Sequence, residues 1–173
     1  MSDIQYGLAL GFATAAHINQ TRKYTGEPYV AHCSSVAKIV EQYDNDIYVL
    51  QAALLHDTVE DTSVTNDRIK LVFGERVAKL VEELTDVSKP SDGNRKVRKE
   101  IDRQHLAQSS CEAATIKLAD LIDNSKSIVE NDKEFAKVFL AEKEALLEVL
   151  KHGNSDLYAL AAKTLNEAKE KLK

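Results

Sequence analysis

The chain has 173 residues, with 23 lysines and arginines against 28 aspartates and glutamates, a formal charge of −5. That balance argues against a general basic surface for nucleic acid, and its apolar runs fall far short of the roughly 20 residues a membrane helix needs. Six glycines and two prolines leave few tight turns, which excludes a many-stranded sandwich or barrel and points to long helices.

In chain order the apolar spacing predicts a first helix over 3–18, with Ile4, Leu8, Phe12, Ala15 and Ala16 at helical intervals. Thr21–Pro28 reads as a loop punctuated by Gly26 and Pro28. Helices follow over about 29–43, 46–60, 65–73 and 75–85. Residues 86–95 hold Pro90 and Gly93 and read as a mobile loop. The charge-rich stretch 95–105 reads as a helix or a partly ordered lid. Helices over about 112–128, 132–152 and 155–172 complete the chain, with Gly153 at a helix end and Asn154 or Ser155 as the next cap. The fold class is all-α, a bundle of about eight to nine helices in one domain over 1–173. Cys33 and Cys111 make no disulfide framework. With no export signal the expected compartment is the reducing cytoplasm.

Chemistry shows in the third helix, AALLHDTVEDT from Ala52. It is apolar nearly all round, hence buried, yet it carries His56, Asp57, Glu60 and Asp61. On a continuous helix Glu60 lies under His56 and Asp61 under Asp57, a narrow polar stripe. Three carboxylates in a buried place are costly unless a cation neutralises them. If the helix ends near Asp57, Glu60 and Asp61 are instead solvated residues before a turn. His32 lies among apolar residues on the neighbouring helix. In IKLADLIDNSKS, from Ile116, Asp120 stands among apolar residues, with Asn124 and Ser127 on its face. His32, His56, Asp57 and Asp120 together suit one divalent ion, Mn²⁺, Fe²⁺ or Zn²⁺, without choosing between them. His17 reads as a structural hydrogen-bonding group.

The pattern H…HD…D resembles the signature of the HD phosphohydrolase superfamily. FATAAHINQTRKYTGEPYVAH from Phe12, AALLHDTVEDT, FGERVAKLVEELTDVSK from Phe73 and IKLADLIDN extend the resemblance to the hydrolase domain of the Rel/Spo alarmone enzymes, and in particular to the small stand-alone alarmone hydrolases. It covers Phe12–Ser127; residues 128–173 match only as a helical pattern.

The resemblance implies that His32, His56, Asp57 and Asp120 hold Mn²⁺. Glu60 and Asp61 orient or deprotonate the attacking water, and Asn124 positions the water or the scissile phosphate. Arg22, Lys23 and Ser127 face the nucleotide. The implied reaction removes the 3′-diphosphate of (p)ppGpp, giving GDP or GTP and pyrophosphate. Two other outcomes stay open: the same chemistry on NADPH, ppApp or a nucleoside monophosphate, and a non-catalytic helical binding module. The expected partner is a small nucleotide, with no nucleic acid or membrane, and self-association is open. The chain departs from the family at Leu121, where a basic residue is common, and at Asp123, where His or Tyr is common. Leu121 either packs on a neighbouring helix or lies at the rim of the cleft and tunes substrate charge. The run Arg95, Lys96, Arg98, Lys99 and Arg103 is either a further source of positive charge for a polyanion or a solvated helix face.

Overall fold

The computed structural model describes residues 2–172, except the side chains of Ser2, Ser127 and Glu130. Among the described residues ten α-helices run in order: α1 (Ser2–Ala16), α2 (Val30–Val40), α3 (Ile47–Leu55), α4 (Thr58–Asp61), α5 (Asn66–Phe73), α6 (Glu75–Leu84), α7 (Arg95–Leu106), α8 (Cys111–Asn131), α9 (Lys133–Val149) and α10 (Ser155–Glu170), with a 3₁₀ turn at Pro90–Asp92. Side chains set most of the starts. Asp46, Thr65, Asn94, Ser110, Asp132 and Asn154 each accept a hydrogen bond from a backbone N–H of the first turn they precede, the usual means of satisfying groups that have no partner inside the helix. Among the described residues there is no strand, only an isolated antiparallel bridge between Thr21 and Pro28. The helices fall into two compact units, Met1–Thr85 and Asp86–Lys173.

In the first unit α3 is the central helix. Every residue from Val49 to Leu55 is buried, and the helix packs against α1, α2 and α6. Its apolar character all round follows from that enclosure. Full burial of a leucine such as Leu54 or Leu55 is worth about 1.5–3 kcal/mol. The one polar side chain in the run, Gln51, donates to the Gln5 carbonyl of α1 at 3.1 Å, so its burial leaves no amide unsatisfied. The helix expected over 46–60 is interrupted: α3 stops at Leu55, His56 and Asp57 form a turn, and α4 resumes at Thr58. The loop before α2 closes on itself, with Arg22 N–H donating to the Glu27 carbonyl (2.8 Å) and Tyr29 N–H to that of Gln20 (2.9 Å). Gly26 takes a φ of 71° in this turn, a conformation that glycine adopts without a side-chain clash.

In the second unit α8 packs against α9 and α10, and α7 against α9. Residues 113–123 of α8 are buried without a break. Leu121 is among them at 0% exposure, so it is a core residue and not part of a rim. Gly153 follows α9 without the left-handed backbone of a helix-ending glycine, because only Gly26, Gly74 and Gly93 have a positive φ among the described residues. What requires glycine there is close approach. A Cβ would come within 3.0 Å of the Leu118 side chain and 3.2 Å of the Ala114 and Thr115 backbone. The segment expected as a mobile loop over 86–95 ends where α7 begins, at Arg95, and is tied to that helix. The Asp102 carboxylate accepts from the N–H groups of Val87 (3.0 Å) and Ser88 (2.9 Å) and from the Ser88 hydroxyl (2.9 Å).

Candidate metal and active site

His32 projects from α2, and His56 and Asp57 lie in the turn between α3 and α4; one donor atom from each falls within 4.8 Å of the others. Both imidazoles are 1% exposed. They aim at one atom: Asp57 Oδ2 is 3.0 Å from His56 Nε2 and 3.4 Å from His32 Nε2. The other His56 nitrogen, Nδ1, lies 2.9 Å from the Ala53 carbonyl. A carbonyl can only accept, so Nδ1 carries a proton, and in neutral imidazole Nε2 is then a bare lone pair. A lone pair held 3.0 Å from a carboxylate oxygen is repulsive unless a cation, metal or proton, lies between them. Two imidazole nitrogens and a carboxylate oxygen are a donor set that fits Mn²⁺, Fe²⁺ or Zn²⁺.

The convergence lies at a break in the helix. Asp57 has φ −97° and ψ −3°, outside the helical range and in the region where turn and active-site residues are found. The chain then recovers its helical bond, Asp61 N–H to the Asp57 carbonyl at 2.9 Å. Asp61 therefore keeps the offset from Asp57 expected on a helix, but the continuous buried stripe does not form. Glu60 and Asp61 are both exposed residues, as expected if the helix stopped near Asp57. The Asp61 carboxyl nonetheless titrates above the usual aspartate range. Loss of hydration raises it first and the Asp57 charge second; a hydrogen bond with Tyr29 and the nearby His17 and His56 work in the opposite direction. Thr58 is fully buried, and its hydroxyl has no hydrogen-bond partner among the described residues.

Around the cluster sits a ring of groups to which the sequence reading assigned no catalytic task. The Tyr29 hydroxyl donates to Asp57 Oδ2 at 2.7 Å. The Tyr29 ring stacks on that of His17, with centroids 4.9 Å apart. His17 is 2% exposed, and its Nδ1 meets Gln20 Oε1 at 2.6 Å, the structural role expected of it. Gln20 Nε2 donates to the Asp61 carbonyl at 2.6 Å. The sequence signal for Tyr29 is its place three residues before His32, on the same helical face. Arg22 and Lys23 lie in the loop that Gln20 and Tyr29 close; Lys23 Nζ reaches the Tyr24 hydroxyl at 3.2 Å.

Asp120 belongs to the second unit. Its carboxylate is 3.1 Å from Lys117 Nζ and accepts a hydrogen bond from Asn124 Nδ2. The side chain of Ser127 lies outside the described residues. Asp123 is buried and 3.6 Å from Lys126 Nζ. The α7 basic run is largely engaged: Arg95 makes a two-pronged contact with Glu142 (2.7 and 2.8 Å), Lys99 bonds Asp86 (2.7 Å) and Arg103 bonds Glu100. Burial pushes the Lys143 ammonium of α9 downward; among the weaker influences the Asp120 charge opposes the shift and the Lys117 charge adds to it. Cys33 is buried and Cys111 exposed, and neither is in a disulfide among the described residues.

A family model described as an HD domain matches residues 9–147. The chain belongs to the HD-domain family. Human MESH1, named a guanosine-3′,5′-bis(diphosphate) 3′-pyrophosphohydrolase, is 43% identical to this HD-domain protein over 123 residues, 69% of this chain and 67% of that protein. A guanosine-3′,5′-bis(diphosphate) 3′-pyrophosphohydrolase of Aquifex aeolicus is 42% identical over 137 residues, 75% of this chain and 19% of that longer one. The solved structure of a metazoan ortholog of SpoT, described as hydrolyzing ppGpp, superposes with a TM-score of 0.85 at 32% identity, covering 94% of both chains. No helix among the described residues of this HD-domain protein is long and apolar enough to cross a membrane.

Proposed function

We propose that this HD-domain protein is a cytoplasmic, Mn²⁺-dependent pyrophosphohydrolase, one hydrolase domain over residues 1–173, that removes the 3′-diphosphate of (p)ppGpp. The carrying observation is the convergence of two imidazoles on Asp57 Oδ2, with His56 Nδ1 tied to Ala53 so that its Nε2 lone pair faces the same oxygen. The names of the relatives supply the substrate class. His32, His56 and Asp57 would hold the metal. Asp120, Asn124 and Ser127 enter this reading through their motif, with Asp120 as the fourth ligand.

A bound divalent ion supplies an acidified water and a polarised phosphoryl oxygen. The chain supplies the rest. Asp61 is the better placed of the acidic pair to take the water proton, because its carboxyl already faces Tyr29 and loss of hydration raises its affinity for a proton, the direction that favours a general base. Glu60, beside it on α4, orients the water. Arg22 and Lys23 stand on a loop anchored through Gln20 to the Asp61 carbonyl, so cations for the nucleotide and the acidic pair share one support. An arginine there can stack on a purine or fork onto phosphate.

The test is a panel of ppGpp, pppGpp, ppApp, NADPH and nucleoside monophosphates with Mn²⁺, scored by product. Pyrophosphate from the guanosine compounds supports the proposal. Orthophosphate from NADPH or a monophosphate assigns the same centre to another nucleotide. No turnover and no bound metal leave a binding module.

A further inference from the structure

The Tyr29 phenol is held more tightly than packing requires. Its backbone N–H is fixed by the Gln20 carbonyl. Its ring is stacked on His17 with an interplanar angle of 27° and meets the His32 ring edge-on, with centroids 5.6 Å apart. His17 is in turn fixed by Gln20, which is fixed by the Asp61 carbonyl. The hydroxyl at the end of this chain of contacts falls 2.7 Å from Asp57 Oδ2, the atom that both imidazoles face.

We propose that Tyr29 is a positioning residue: its hydroxyl pins Asp57 Oδ2 at the point where His32 and His56 converge. The inference rests on the metal centre proposed above and deepens it. A carboxylate oxygen has two lone pairs. The phenol O–H occupies one and leaves the other for the cation. A carboxylate is free to turn about its terminal torsion, a broad, roughly two-fold rotor. The phenol selects the rotamer in which one oxygen faces both imidazoles. Groups that bond a metal's ligands from outside typically contribute 10–100-fold in metal affinity or activity. A phenylalanine would fill the same space and stack on His17 equally well, so the hydroxyl is the part that packing leaves unexplained.

The experiment compares full-length wild type, Tyr29→Phe and His17→Phe. Mn²⁺ affinity is measured by calorimetry, the visible ligand-field bands after Co²⁺ loading, and the fold by circular dichroism. Tyr29→Phe should keep its fold, bind Mn²⁺ about 10–100-fold more weakly and show shifted Co²⁺ bands. His17→Phe retains an aromatic face against Tyr29 and keeps the phenol, so its affinity should stay within about twofold of wild type by the same reasoning. Wild-type affinity and an unchanged Co²⁺ spectrum in Tyr29→Phe would overturn the proposal and leave the metal centre standing. Equal weakening in both variants would also overturn it, by assigning the effect to ring packing. A wild type that binds neither ion overturns the metal centre itself, and this proposal with it.

Discussion

Replacing Asp57 by asparagine should invert the stability ranking of variant and wild type between metal-free and metal-loaded protein. In the metal-free protein Asp57 Oδ2 faces His56 Nε2 at 3.0 Å and His32 Nε2 at 3.4 Å. An asparagine can place its NH₂ at the same point. One hydrogen is then donated to His56, and the other to the Tyr29 oxygen now 2.7 Å away, whose own hydrogen is free to rotate. A repulsive contact becomes a hydrogen bond worth about 1 kcal/mol, or roughly 2–4 °C in melting temperature for a chain of this size. With Mn²⁺ at 100 times its Kd the wild type gains about 2.7 kcal/mol, on the order of 5–10 °C. The variant has lost its anionic ligand and gains little. Thermal melts in chelator and in Mn²⁺ should therefore rank the two proteins in opposite orders. The reasoning is refuted if Asp57→Asn melts well below wild type in chelator, or if both proteins rise equally on adding Mn²⁺.

Asp61→Asn should retain bound metal and lose about 10²–10⁴ in rate, read as metal stoichiometry beside single-turnover kinetics; a collapse in metal occupancy would make Asp61 a ligand instead. The same variant carries a pH signature in metal-free protein. Because the folded chain raises the Asp61 carboxyl, it holds that proton more firmly than the unfolded chain, so the group's contribution to stability falls as pH rises from the ordinary aspartate range near 4 toward the folded value. Asparagine mimics the protonated form, and its advantage in melting temperature should grow over that interval; a gap that stays constant or shrinks contradicts the assignment. Leu121→Arg should lower the urea midpoint and the soluble yield, because it forces a charge into a position with 0% exposure; a folded variant with altered substrate preference would return Leu121 to the rim of the site.

The helices were legible where local chemistry marks their ends. The boundary expected between 65–73 and 75–85 falls at Gly74, because Thr65 caps one helix and a glycine at φ 88° separates the two. The clustering of His32, His56 and Asp57 was legible as polar residues inside apolar helices, where a partner is demanded. Leu121 was not, for a related reason. α8 is buried on every side from 113 to 123, so its apolar pattern has no empty face from which to read an outward direction. Tyr29 was visible as part of GEPYVAH, but its bond partner lies 28 residues away in sequence, and no periodicity reports a tertiary hydrogen bond. Gly153 was read as a helix terminator, whereas its need for glycine comes from the α8 backbone 3.2 Å from where a Cβ would sit.

The interruption at His56–Asp57 connects these observations. Neighbouring residues on an unbroken α-helix point about 100° apart, whereas in this turn the His56 imidazole and the Asp57 carboxylate come to 3.0 Å of each other. The apolar run up to Leu55 reads as one helix continuing through the pair, and periodicity alone carries it to Glu60. What ends it is the Asp57 backbone at φ −97°, ψ −3°, which lets the carboxylate fold back toward His56 while Asp61 N–H re-forms the bond to the Asp57 carbonyl. The turn thus separates two sets of side chains four residues apart: the His56 imidazole inside, at 1% exposure, and the acidic Glu60 and Asp61 outside, in contact with solvent. A buried continuous stripe would have placed four ionisable groups in the core at a desolvation cost of several kcal/mol each. The broken helix keeps inside only the groups that a cation can neutralise, and leaves Glu60 and Asp61 in contact with solvent.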